Sequence, residues 1–212
     1  MIDNIIHYLT FKFNNYNFKQ LFIKKIIDNG FYKKKKVYNE SITPLSSINI
    51  NKTGDSTFSH KDINENDFII FLDIDGVLNG GSNLTTFYDD NVFPRLEKDF
   101  IQLINLLHSI HTKKIYFILN STWCDSYISL SDFINYFNEH NFYFNIMDKI
   151  SNGNNKNDSI LEKIEEYNIK NFLIIDDESN LYSSSCLKEK LISPKNGINI
   201  DNIENIKNFI IN

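Results

Sequence analysis

Cysteine is scarce in this chain of 212 residues, where Cys124 and Cys186 are the only two. One such pair builds neither a disulfide framework nor a zinc site by itself. A reduced, intracellular setting is therefore expected, and the localisation is read as cytoplasmic. No run of about 18 apolar residues occurs, so no membrane-spanning helix is expected. The first residues, Met1 to Thr10, lack the basic-then-apolar order of a secretory signal. Excess positive charge is missing too. The formal net charge is −5, so no global positive field draws in nucleic acid or membrane, although a local basic patch still can. Arginine is reduced to Arg95, while Asn, Ile and Lys abound. That bias reads as AT-rich coding, and Asn-rich loops carry little weight because of it. No internal repeat is visible.

What is present suits a soluble globular protein. The apolar fraction is 42%, and the length accommodates one α/β domain plus an N-terminal extension. Two domains are expected: an extension over 1–66, helical and then irregular, and a regular α/β domain over 67–212. In the extension, Phe18, Leu21, Phe22, Ile26 and Ile27 fall near helical spacing within 17–29, and Gly30 follows as a stop. Lys33 to Lys36 form a basic run that reads as a solvated turn or as a phosphate contact. Residues 41–66 are polar and read as linker.

From residue 67 the pattern becomes regular. Phe68–Leu72 and Ile115–Leu119 are continuous apolar runs, as expected of strands buried on both faces. Helices are expected over 95–111, 129–140, 158–167 and 202–211, and further strands over 142–146 and 172–175. Strands alternating with helices predict a Rossmann-like, mostly parallel sheet with helices on both faces. In such folds ligands bind beyond the carboxyl ends of the strands.

Three apolar runs end in polar clusters. The first ends in Asp73-Ile74-Asp75-Gly76, the second in Asn120-Ser121-Thr122-Trp123, and the last in Asp176-Asp177-Glu178-Ser179. By the strand-end rule these clusters meet on one sheet edge. Four Asp carboxylates together repel one another and raise each other's pKa. A divalent cation resolves the conflict, and oxygen ligands without His or Cys favour Mg²⁺ over Zn²⁺. Mg²⁺ usually shares its ligands with a substrate phosphate, so an acidic site of this kind suits a phosphorylated substrate.

Asp73 and Asp75 would face the same side if the chain stayed extended. One can attack while the other protonates the leaving oxygen. Gly76 permits a sharp turn around the phosphate. Ser121 can donate to a phosphoryl oxygen, with Thr122 beside it as a further phosphate-binding candidate. Lys156, ahead of the helix 158–167, is the expected cation, and Lys163 is the weaker choice. Each signal is common alone, since an Asp-x-Asp after a strand is often a turn or a cap. Their order along the chain is what makes the set specific.

These residues resemble the haloacid dehalogenase-like (HAD) hydrolase superfamily over about 67–212. Phe71-Leu-Asp73-Ile-Asp75-Gly76-Val-Leu-Asn79 matches the first motif, Ser121 the second, Lys156 the third and Asp176-Asp177 the fourth. Ser121-Thr122-Trp123 and the tail Ile192 to Ile198 resemble HAD domains associated with Swiss Army Knife RNA-repair proteins. Cys124 departs from that branch, where an Arg often follows the Trp. The resemblance implies that Asp73 attacks phosphorus to form an aspartyl-phosphate and that Asp75 serves as acid and then base. It implies Mg²⁺ held by Asp73, the Asp75 main-chain carbonyl and Asp176, with Asp177 in direct or water-mediated support. Ser121 and Lys156 would hold the phosphoryl oxygens.

The spacing leaves room for little or no cap over the site. About 15 residues separate Asn79 from the helix near Arg95, enough for a flap hairpin opened by Gly80-Gly81. About 35 separate Ser121 from Lys156, and the core uses most of them. An uncapped site suits a large substrate, such as a nucleic-acid phosphate end or a phosphoprotein. Lysines and aromatics interleaved in 1–66 can meet phosphates and bases, or form an ordinary helical extension. The function read from the sequence is a Mg²⁺-dependent phosphatase. A nucleotidase or small-molecule phosphatase is the alternative within that chemistry. A catalytically idle module that binds nucleic acid or protein is the alternative outside it, and a phosphotransferase is a third reading.

Overall fold

The computed structural model describes residues 63–81, 85–88, 91–110, 113–151 and 155–211. The expected helix over 17–29 and the Lys33 to Lys36 run lie outside the described residues. The described elements run β1 (Phe68–Leu72), β2 (Thr85–Tyr88), β3 (Asn91–Pro94), α1 (Lys98–Ile110), β4 (Ile115–Leu119), α2 (Leu130–Glu139), β5 (Asn145–Lys149), α3 (Lys156–Glu166), β6 (Phe172–Ile175), α4 (Ser185–Lys188), β7 (Leu191–Ile192) and α5 (Ile200–Ile211).

Five strands form a sheet in the order β5-β4-β1-β6-β7, each neighbour pair parallel. The expected Rossmann-like α/β fold is thus observed. β1 is central and wholly buried, which is why its five residues are all apolar. Its side chains alternate between two cores. Phe68, Ile70 and Leu72 pack with Ile104 of α1, Phe133 of α2 and Ile206 of α5 on one face. Ile69 and Phe71 pack with Ile160 of α3 and Leu187 of α4 on the other. Burying one such Phe or Ile side chain contributes about 1.5–3 kcal/mol. Helices on both faces follow from this alternation, since neither face of β1 tolerates water.

Several boundaries move from their expected places. β5 starts at Asn145, later than the expected 142, because Phe142 and Phe144 turn inward ahead of it. Both rings lie 5.0 Å from that of Phe117. α2 begins after Ser129, whose hydroxyl accepts from the Asp132 main-chain N–H while the Asp132 carboxylate accepts from Ser129 N–H. This is a reciprocal capping box. α3 begins at Lys156 rather than 158, because the Asn155 side chain caps it by accepting from Asp158 N–H. Lys156 is thus the first residue of the helix and does not precede it. β7 has two residues and no apolar run of its own, so periodicity passed over it.

β2 and β3 pair antiparallel, as expected of a flap hairpin. The hairpin is tied to the body at Tyr136, which stacks on Phe93 at 4.3 Å. The Tyr136 hydroxyl donates to the Pro94 carbonyl at 2.8 Å and lies 2.9 Å from Thr86 Oγ1. Gly80 and Gly81 precede the hairpin in the expected turn, with left-handed φ of 64° and 76°. No helix among the described residues is long and apolar enough to cross a membrane.

Candidate active site

The sheet's hydrogen-bond ladder runs one residue past its strands. Asp73 N–H donates to Ile175 O, Asn120 N–H to Leu72 O, and Asp176 N–H to Ile192 O. Since Leu72 is level with Leu119 and with Ile175, Asp73, Asn120 and Asp176 stand side by side at the carboxyl edge. Alternation along each strand puts them on the face that carries Ile69, Phe71, Ile118 and Ile174. α3 packs on that face, and its first residue reaches the edge. The switch in chain direction also lies here, because β1 leads to β4 on one side while β6 leads to β7 on the other.

Lys156 Nζ lies 2.8 Å from Asp176 Oδ2 and 3.4 Å from Asp73 Oδ2, and all three side chains are buried. Asp73, Asp176 and Asp177 bring one carboxylate oxygen each to within 4.8 Å of one another. Burial pushes the Asp73 carboxyl up to about 7, the neighbouring Asp176 adds to the rise, and Lys156 opposes it. Burial and Asp176 also raise Asp177. For Lys156, burial favours the neutral amine, but Asp73 and Asp176 outweigh it and hold the ammonium above its usual range. One cation thus faces three carboxylates. The set consists of hard oxygen donors with more negative than positive charge, so a divalent oxygen-seeking cation such as Mg²⁺ fits these residues.

Asp176 is the most tightly held of the acids. Its Oδ1 accepts from Glu178 N–H at 2.8 Å, and its Oδ2 accepts from Lys156 and, at 2.7 Å, from the Tyr182 hydroxyl. Tyr182 in turn accepts from Asn120 Nδ2 at 3.0 Å. Asn157 holds the chain after Tyr182 by accepting from Ser183 and Ser184 N–H. Tyr182, Asn120 and Asn157 were not among the expected site residues. Tyr182 lies beyond the acidic cluster on a stretch with no periodicity, Asn120 was placed at the sheet edge with its cluster but given no role, and Asn157 carries no signal of its own in an Asn-rich chain.

Asp75 behaves differently from its neighbour. The chain does not stay extended after Asp73 but turns at once, with Leu78 N–H donating to Ile74 O at 2.7 Å. The Asp75 carboxylate is therefore directed to Trp123 and Asn79 and is absent from the three-oxygen cluster. Trp123 Nε1 donates to its Oδ2 at 2.9 Å, and Asn79 Nδ2 donates to its Oδ1 at 2.5 Å. Asn79 Oδ1 also accepts from Gly76 and Gly81 N–H, which shapes the turn. Gly76 has φ of +69°, and a Cβ there would overlap the Asp177 carboxylate. A side chain here would be strained by the left-handed backbone and would displace Asp177. The tail straps the same turn down, as Gly197 N–H donates to Gly76 O and Ile198 N–H to Val77 O.

The remaining expected residues divide. Ser121 is fully buried at the edge. Its hydroxyl helps to lower the Asp73 pKa yet makes no hydrogen bond of full geometry. That leaves a donor for an incoming oxygen. Thr122 is exposed and opens the short 3₁₀ turn Thr122–Asp125. Lys163, the weaker cation candidate, pairs with Asp148 and Glu166, each at 2.7 Å. Cys124 points into the core, and burial pushes its thiol up to about 11. It supplies neither a nucleophile nor a cation.

Residues 69–202, more than half of the chain, match the family described as the HAD domain in Swiss Army Knife RNA repair proteins. The matched stretch contains every site residue named above. No curated protein and no solved structure matches the chain.

Proposed function

Since the chain belongs to the HAD domains of Swiss Army Knife RNA repair proteins, we propose that it is a Mg²⁺-dependent phosphatase acting on a large phosphorylated substrate. One observation carries the reading. Asp73, Asp176 and Asp177 converge within 4.8 Å while Lys156 bridges the first two. Asp73, Asp176, the Asp75 main-chain carbonyl and, directly or through water, Asp177 would hold the ion. When bound, Mg²⁺ supplies positive charge that keeps Asp73 ionised and offsets charge on the phosphoryl oxygens.

The chain's own residues then divide the work. A carboxylate oxygen of Asp73 attacks phosphorus in line with the leaving oxygen, forming an aspartyl-phosphate. The bond from phosphorus to the leaving oxygen breaks, and that oxygen takes the proton of Asp75. Asp75, now ionised, removes a proton from water, which attacks phosphorus and frees phosphate and Asp73. The Ser121 hydroxyl and the Lys156 ammonium hold phosphoryl oxygens, with Thr122 at the rim.

The short connection that follows the first acidic loop supports a large substrate. Between the Asp73 loop and α1, the described elements amount to one two-stranded hairpin. The family's link to RNA repair favours a nucleic-acid phosphate end over a phosphoprotein. A panel of 3′- and 5′-phosphorylated oligonucleotides, nucleotides, sugar phosphates and phosphopeptides tests the substrate. Asp73→Asn, or EDTA with the wild type, should abolish phosphate release from an aryl phosphate. Activity that survives both would refute the mechanism.

A further inference from the structure

Both oxygens of the Asp75 carboxylate already accept a hydrogen bond, and the chemistry of the two donors is informative. The indole N–H of Trp123 can donate but never accept. Asn79 has one of each group, but its carbonyl oxygen is engaged by Gly76 and Gly81 N–H at 3.0 and 3.1 Å. That fixes the amide so that only its NH₂ faces Asp75. Neither neighbour can therefore receive a proton from Asp75. The carboxyl is gripped at both oxygens, and each oxygen keeps a further lone pair for a proton.

We infer that Trp123 and Asn79 are positioning residues that clamp Asp75, so that its proton can pass only to the substrate's leaving oxygen and return only from water. The inference rests on the phosphatase reading for its catalytic meaning, and on geometry alone for the clamp. Trp123 reaches this place because its 3₁₀ turn is anchored from β5, where Lys149 Nζ donates to the Cys124 and Ile128 carbonyls. The indole also packs against the core. Such a turn holds the N–H steady where an exposed loop would not.

The clamp matters most where proton transfer matters most. An aryl phosphate expels a stable phenolate and needs little help from Asp75. An alkyl phosphate expels an alkoxide, and the proton is then needed as the bond to phosphorus breaks. Trp123→Phe keeps a ring and deletes the N–H. The quantity to measure is kcat/KM, which stops at the first irreversible step, for p-nitrophenyl phosphate and for the alkyl phosphate that the wild type hydrolyses fastest. The expected result is a ratio of aryl to alkyl kcat/KM that rises by about 10-fold or more, part of the 10²–10⁴ usual for general acid catalysis. An equal loss on both esters, or no loss on either, overturns the inference.

A second measurement does not need turnover. Trp123 is the only tryptophan of the chain, so the ¹⁵N-labelled protein gives one indole N–H cross-peak. Asp75→Ala should move that peak upfield by removing the acceptor of the indole N–H, and a peak that stays in place overturns the clamp. If the wild type hydrolyses no ester, the phosphatase reading falls, and the indole peak alone decides the clamp. If Trp123→Phe melts below the assay temperature, the same peak decides.

Discussion

Tyr182→Phe removes one oxygen atom and leaves the ring in place, so its effect is readable as hydrogen bonding. The hydroxyl donates to Asp176 Oδ2 at 2.7 Å and accepts from Asn120 Nδ2 at 3.0 Å. Both partners are fully buried, and Asn120 Oδ1 has no partner already. Deleting the bond to a charged carboxylate costs about 1.5–3 kcal/mol, and leaving the Asn120 amide buried and unpaired adds about 1–3 kcal/mol. Relief from burying a hydroxyl offsets part of this, and Asp176 keeps Lys156 and the Glu178 N–H. The net loss worked from these contacts is about 2–4 kcal/mol. At about 2–4 °C per kcal/mol, the thermal midpoint should fall by about 4–16 °C. Urea denaturation in EDTA measures the free energy directly. A double-mutant cycle with Asn120→Ala should return a coupling of about 1 kcal/mol or more. A loss below about 0.5 kcal/mol would refute the network, since an isosteric change cannot hide a buried charge-assisted bond.

The site's charge makes further predictions. With Asp73 raised to about 7 by burial and Asp176, the native state binds more protons than the unfolded state between about pH 4 and 7. Stability in EDTA should therefore fall as pH rises through that window, by up to about 4 kcal/mol. Asp73→Asn should lose that slope when urea unfolding is followed against pH. Lys156→Met leaves Asp73 and Asp176 without their cation, and phosphate release should drop about 10²-fold or more. At pH 8 in EDTA its urea midpoint should also fall, by a loss of about 3–5 kcal/mol. If the three carboxylates hold Mg²⁺, the ion at 100 times its Kd should stabilise the wild type by about 2.7 kcal/mol in a thermal melt, and Asp176→Asn should gain far less. Phe117→Ala opens the aromatic cluster with Phe142 and Phe144, and should cost about 3–5 kcal/mol in urea.

How much of this was legible beforehand differs from residue to residue. β1, β4 and β6 were readable to their ends because an unbroken apolar run of about five residues, too short to cross a membrane, needs cover on both faces. β5 was displaced by three residues, since Phe142 and Phe144 are as apolar as a strand but fill the core from a connection. The first two residues of α3 were missed because its Asn155 cap looks like any other Asn in this composition. Lys156 was nonetheless preferred to Lys163, and the structure separates the two. One bridges Asp73 and Asp176, and the other is spent on Asp148 and Glu166.

The sequence by itself determined the fold class and which strands would end in acids, because burial and the strand-end rule act on local patterns. Tertiary structure alone decided what those acids touch. Asp73 and Asp75 are two residues apart and identical in type, yet one joins Asp176, Asp177 and Lys156 while the other is gripped by Trp123 and Asn79. The turn at Ile74 separates them, and Gly76, Asn79 and the tail at Gly197 hold that turn. Tyr182 reaches Asp176 only because a chain segment with no pattern of its own is tied back by Asn157. Hydrogen-bond partners far apart in sequence leave no periodicity to read, so what each of these acids touches is decided only once the chain has folded.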